Sequence, residues 1–176
     1  MRPLDWTLTG GVWPMGISTS LTWYDIGAIL HVIHAAHIRL VVEIGVEHGG
    51  LAALLRAYGA YTGVVYRGID ITLDALHPAM LLPGIVQRDA WAAATIDEVR
   101  QWMADVPGPA LIFCDGGDKP RELRLYAPLV RPGDMLMGHD YRNEYGDAAI
   151  QDMPPNVCRV QDEWLDKTLL CLWEAA

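Results

Sequence analysis

Five acidic residues in this chain are placed where they could do chemistry. Glu43, Asp70, Asp89, Asp115 and Asp140 each follow or close an apolar run. One acid in such a place is a strand terminator or a helix cap. Five in register line one rim with negative charge, which suits hydroxyl-rich or cationic ligands and metal ions. The first belongs to Val41-Val42-Glu43-Ile44-Gly45-Val46-Glu47-His48-Gly49-Gly50, where an apolar run meets a carboxylate, breaks into glycines and passes into an Ala/Leu-rich stretch from Leu51. That pattern is a strand, a tight turn and a helix start. Glycine lets the backbone turn sharply and lets a ligand approach it, while the first helical N–H groups point over the turn. A nucleotide-like ligand is the natural occupant. Asp70 lies 25 residues past Gly45, at the end of the next apolar run, where an acid accepts both hydrogen bonds of a ribose diol. Asp89, followed by Ala90, is placed to face an adenine edge. On neighbouring strands Asp115 and Asp140 would share a divalent ion, with Mg²⁺ or Ca²⁺ suited to their hard oxygens; the alternative is two caps facing water.

The elements that hold these acids follow from periodicity. Strands are predicted over Leu40–Ile44, Val64–Ile69, Gly84–Gln87, Ala110–Cys114 and Asp134–Met137, and helices over 21–37, Leu51–Tyr58, Thr95–Ala104 and Arg121–Ala127, with a short one near Thr72–Ala79. The β-α-β-α rhythm predicts a Rossmann-like, doubly wound α/β fold: a mainly parallel seven-stranded sheet in a three-layer α/β/α sandwich. Asn156–Val160 and Thr168–Trp173 close it as a C-terminal antiparallel hairpin. Residues 1–20, with Pro3 and Pro14, read as an N-terminal arm pinned by Trp6 and Trp13, and 21–176 as one domain. Ser18, Thr19 and Ser20 offer N-caps for the first helix.

Bulk properties exclude several classes. A formal net charge of −9 with no basic stripe argues against nucleic acid. Three widely spaced cysteines form neither a finger nor a disulfide framework, which favours a cytoplasmic setting. Residues 1–20 do not read as a signal peptide. The most apolar segment, Ile26–Val46, is broken by histidines, Arg39 and Glu43 and is not a membrane span. His31, His34 and His37 share a helical spacing that invites a metal reading, but without nearby acids they read as structural or surface residues. Most tryptophans read as core or a subunit contact, and Trp91 as core or an adenine-stacking ring. Lys119 reads as a solvated charge at a helix start, or as a group that orients an acceptor oxygen.

Glu43-Ile44-Gly45-Val46-Glu47-His48-Gly49, then Ile112-Phe113-Cys114-Asp115-Gly116-Gly117-Asp118-Lys119, then Tyr126-Ala127-Pro128-Leu129-Val130-Arg131-Pro132-Gly133-Asp134 resemble, in order and spacing, a class I S-adenosylmethionine-dependent methyltransferase. The branch holding catechol-type and macrocin-type O-methyltransferases and cephalosporin-hydroxylase-like proteins is most similar. The resemblance implies S-adenosylmethionine as donor, contacted by Glu43, Gly45, Glu47, Gly49, Asp70, Asp89, Ala90 and Asp115. It implies a small hydroxylated acceptor, and Mg²⁺ on Asp115 and Asp140 lowering the acceptor's pKa. Without metal, His139 or Asp118 is the implied base beside Asp115. The chain departs from the family pattern at Glu47, where many members have glycine, and at Asp118, where many have histidine. His139 flanks Asp140, and strand alternation predicts that the two point to opposite faces. Two other readings compete: an NAD-dependent oxidoreductase, which lacks its G-x-G-x-x-G, and a binding or assembly protein that keeps the fold without transfer. A tryptophan-rich arm would also serve a homo-oligomer.

Overall fold

A computed structural model describes residues 11, 12 and 16–175. A short antiparallel ribbon, β1 (Gly11–Val12) with β2 (Ser18–Thr19), precedes the body. Then follow α1 (Trp23–Ala35), β3 (Leu40–Ile44), α2 (Gly50–Thr62), β4 (Val65–Asp70), β5 (Ile85–Gln87), α3 (Ala93–Asp105), β6 (Ala110–Cys114), α4 (Lys119–Tyr126), β7 (Met135–Gly138), α5 (Asp147–Ile150), β8 (Val157–Val160) and β9 (Cys171–Ala175). Strands β3 to β9 form one seven-stranded sheet in the order β5-β4-β3-β6-β7-β9-β8. The first five in that order run parallel; β9 inserts antiparallel between β7 and β8. The expected doubly wound sheet and closing hairpin are both present.

The central strands are buried on both faces, which is why they read as unbroken apolar runs rather than alternating ones. Val41, Leu111 and Phe113 face the core shared with α1 and α2. Leu40, Val42, Ile44, Ile112 and Cys114 face the opposite core, with Val99 and Met103 of α3 and Leu123 and Tyr126 of α4. Each such side chain, removed from water, stabilises the fold by about 1.5–3 kcal/mol. The strand order reverses between β3 and β6, so the loops after them splay apart and open a crevice beyond their carboxyl ends.

Several local expectations are corrected. The first helix is capped by Thr22, not by Ser18–Ser20: Thr22 accepts from the Asp25 amide while Asp25 accepts from the Thr22 amide, a reciprocal capping box. The stretch near Thr72–Ala79 holds only a 3₁₀ turn, at Pro78–Met80. Tryptophans are less buried than expected: Trp173 is buried, but Trp23 and Trp91 are 52% and 38% exposed. Trp6 and Trp13 lie outside the described residues. Among those described, no helix is long and apolar enough to cross a membrane.

Candidate active site

A cavity of about 680 Å³ lies over the carboxyl ends of β3, β4, β6 and β7. Its size suits a ligand as large as a nucleoside conjugate. Glu43, Gly45, Glu47, Asp70, Asp89, Ala90, Asp115, His139 and Asp140 all line it, so all five rim acids meet there.

One half is built by the turn after β3. Gly45 takes φ +87°, and a Cβ there would lie 2.5 Å from the Asp115 carbonyl oxygen. This glycine is therefore required by the approach of two loops to each other as well as by its backbone conformation. Gly49 does not line the cavity; a Cβ on it would strike Leu76 at 2.9 Å and Met80 at 3.1 Å. The Asp70 carboxylate clamps the turn: Oδ2 accepts from the Val46 and Glu47 amides at 2.8 and 2.9 Å, and Oδ1 accepts from the Thr72 amide at 3.2 Å. A carboxylate has about four acceptor sites. These bonds leave one, on Oδ1. Asp89 folds its Oδ1 back onto the Trp91 amide at 2.8 Å. Trp91 is not core: it lines the cavity, with the Arg121 guanidinium 3.9 Å over its ring.

Glu43, buried under this turn, receives the Tyr66 hydroxyl. Burial raises its carboxyl well above the ordinary range; the tyrosine bond opposes this, and the charges of Asp115 and Asp70 add to it. Burial thus works against the ionised form of Glu43.

The other half is a charge cluster. Cys114 pairs with Gly138 across β6 and β7, so Asp115 and His139 leave adjacent strands at the same level. His139 Nδ1 hydrogen-bonds Asp115 Oδ1 at 2.9 Å and lies 3.5 Å from Asp140 Oδ2. Its Nε2 faces Asp25 Oδ2 at 3.7 Å and has no hydrogen-bond partner. Asp140 does not point away from His139 as alternation predicts: its φ is +58°, a left-handed conformation that aspartate tolerates, and this turns the carboxylate back toward the cavity. Lys119 is not solvated. Its side chain is 8% exposed, and Nζ lies 2.8 Å from Asp140 Oδ2 and 2.7 Å from Glu144 Oε2.

Burial opposes the charged form of His139, but the carboxylates of Asp115, Asp140 and Asp25 outweigh it and raise the imidazole to about 11. A carboxylate faces each ring nitrogen, which favours the charged ring. Burial raises the Asp115 carboxyl, despite His139 and Lys119 beside it. Asp140 is held low, chiefly by its bond to His139 and then by Lys119.

Asp118 caps α4 by accepting from the Arg121 amide at 3.1 Å, and it does not line the cavity. Residues not singled out from sequence also belong here. Asp25 is fully buried, holds the Leu169 amide at 2.9 Å and backs His139. Glu122 lines the cavity and accepts from the Gly116 and Asp118 amides at 3.1 and 3.4 Å. Ser18 to Thr22 form a wall. A signal for Asp25 was present in Thr22-Trp23-Tyr24-Asp25, the spacing of a capping box. His31, His34 and His37 are exposed, and His31 meets the Trp164 ring edge-on at 5.2 Å.

Asp115, His139 and Asp140 each offer one donor atom to a metal, all within 4.8 Å of one another. The carboxylate oxygens suit Mg²⁺ or Mn²⁺, and the imidazole adds a nitrogen once it gives up its proton, so these residues fit a metal. His139 joins the two expected acids in that set.

No protein-family model matches the sequence, and no curated protein does. Solved structures match the fold. The CmcI structure with SAH has a TM-score of 0.72 at 17% identity, covering 100% of this chain and 88% of that one. The CmcI structure with Mg and SAM gives 0.62 at 22%, over 79% and 67%. MycE, a methyltransferase of the mycinamycin biosynthetic pathway solved with Mg, SAH and mycinamycin VI, gives 0.57 at 16%, over 88% of this chain and 50% of its own. The chain has the Rossmann-like α/β fold of these SAM- and SAH-bound proteins and spans half the length of MycE.

Proposed function

We propose that the protein is an S-adenosylmethionine-dependent methyltransferase acting on an oxygen of a small hydroxylated molecule. The observation that carries this reading is the cavity at the point where the strand order reverses, with a clamped glycine turn in one half and proton-handling acids in the other. CmcI and MycE, solved with SAM or SAH and Mg, support it.

S-adenosylmethionine, when bound, supplies a methyl group on a positively charged sulfur. The β3 turn and Asp70 orient the nucleoside, with one ribose hydroxyl on Asp70 Oδ1 and the adenine beside Asp89, Ala90 and Trp91. Glu43 lies under the turn, where a sulfonium would draw it toward its ionised form. Holding donor and acceptor in line removes much of the barrier, since alignment avoids an entropic cost. The acceptor hydroxyl sits against Asp115, whose raised carboxyl takes the proton. His139 and Asp25 behind it fix the direction in which Asp115 points. A divalent ion held by Asp115, His139 and Asp140 would supply Lewis-acid polarisation of the acceptor oxygen.

Isothermal titration with S-adenosylhomocysteine, S-adenosylmethionine and NAD tests the reading. Heat is expected with both sulfur ligands and none with NAD; binding of NAD alone would overturn it. Asp70→Ala is expected to weaken S-adenosylhomocysteine binding by about 10–100-fold, because a charge-assisted partner and two clamped amides are lost together. Asp70→Asn keeps an acceptor for those amides and should fall between the two. Wild-type affinity in Asp70→Ala, with its melting temperature checked in parallel, would remove Asp70 from the donor seat.

A further inference from the structure

The metal-fitting group and the buried lysine share one carboxylate. Asp140 belongs to that group, and its Oδ2 lies 3.5 Å from His139 Nδ1 and 2.8 Å from Lys119 Nζ. An ammonium held on that carboxylate opposes a dication on the same group, because two cations at that separation repel strongly in a half-buried site. We infer that the Lys119 ammonium and a divalent cation are alternative occupants of the Asp140 carboxylate, so that Lys119 sets the metal affinity of the Asp115–His139–Asp140 group.

The surroundings provide for both states. Lys119 Nζ has a second seat on Glu144 Oε2 at 2.7 Å, and Glu144 is 53% exposed, so it can follow the lysine outward. The flexible four-carbon stem of lysine allows a short swing that the rigid fork of arginine would not. With the ammonium on Asp140, that carboxylate is neutralised from within the chain. With the ammonium on Glu144 alone, Asp140 Oδ2 is free for an ion. The lysine thus keeps the acids compensated without metal and makes an incoming ion displace a resident charge. The inference rests on the metal-fitting group rather than on methyl transfer, and it would stand if the donor titration failed.

The test is direct binding of Mn²⁺, read by calorimetry and by the loss of the free-ion electron paramagnetic resonance signal, at fixed ionic strength. Lys119→Met is expected to bind Mn²⁺ at least about tenfold more tightly than the wild type, since it removes a unit charge from the shared carboxylate. Lys119→Gln, which keeps an N–H donor for Asp140, is read the same way and serves if the methionine variant does not fold. Arg121→Met removes a cation that stacks on Trp91 but touches no donor atom, and should change affinity less than about twofold. Glu144→Gln is expected to weaken binding in the wild type, by denying the ammonium its outer seat, and to have little effect in the Lys119→Met background. An unchanged or weaker affinity in both Lys119 variants would overturn the inference. So would an equal gain in Arg121→Met, which would reduce the effect to net charge. S-adenosylhomocysteine titration of the same samples keeps the two readings apart: metal gain without nucleoside binding retains the competition and removes the methyltransferase proposal.

Discussion

Asp115→Asn is expected to lower methyl transfer by about 10²–10⁴-fold, the range for losing a positioned proton acceptor. That loss corresponds to about 3–5 kcal/mol of transition-state stabilisation. The amide has the shape of the carboxyl and retains an oxygen for His139 Nδ1, which Asp115 now meets at 2.9 Å. The cluster therefore keeps its geometry while losing a group able to hold the proton. Nucleoside affinity should stay close to that of the wild type, because the Asp70 clamp and the β3 turn are untouched. The measurement is S-adenosylhomocysteine release in a screen of hydroxylated acceptors, beside a binding titration on the same sample. The pH profile adds a second readout. Burial raises the Asp115 carboxyl, so wild-type kcat/KM should rise with pH through a value above the ordinary carboxylate range, and this limb should vanish in the variant. Unimpaired turnover would place the proton acceptor elsewhere in the cavity.

The rim acids were legible because each ends an apolar run, and an apolar run in a parallel sheet is a buried strand. Chain order alone then placed Glu43, Asp70, Asp89, Asp115 and Asp140 at the same end of the sheet, and all five line the cavity. The fold was legible for the same reason, down to the closing antiparallel hairpin. Less was visible where one residue's fate depends on a distant one. Lys119 looked solvated because its partner Glu144 is 25 residues away. Asp25 meets the Leu169 amide across 144 residues, so nothing local marks it as part of the site beyond its capping box. At Asp140, strand alternation failed because the strand had already ended at Gly138 and the next residues follow a left-handed turn. Gly49 and Asp118 show the converse error. A glycine or acid in a motif position can be spent on packing or capping, and these two residues lie away from the cavity lining.

Among the cluster's groups, His139 holds the others together, and its removal is expected to cost the most stability. His139→Gln leaves the carboxylates of Asp25, Asp115 and Asp140 around a neutral amide. Breaking a buried pair by deleting one partner costs about 3–5 kcal/mol, because the remaining charge is left uncompensated. His139 is buried, and its ring faces carboxylates on both sides, so this range applies. The sign of its pH dependence follows from the raised imidazole. The folded state binds the proton more tightly than the unfolded state. Its contribution is therefore complete below the unfolded value of 6.5 and declines as pH climbs toward about 11. Denaturant melts of wild type and variant should differ most below pH 6.5 and converge as pH approaches 11. A gap that widens with rising pH would mean that His139 is buried as the neutral ring. Asp115 would then face an uncharged donor, and the assignment of the proton acceptor would have to be reversed.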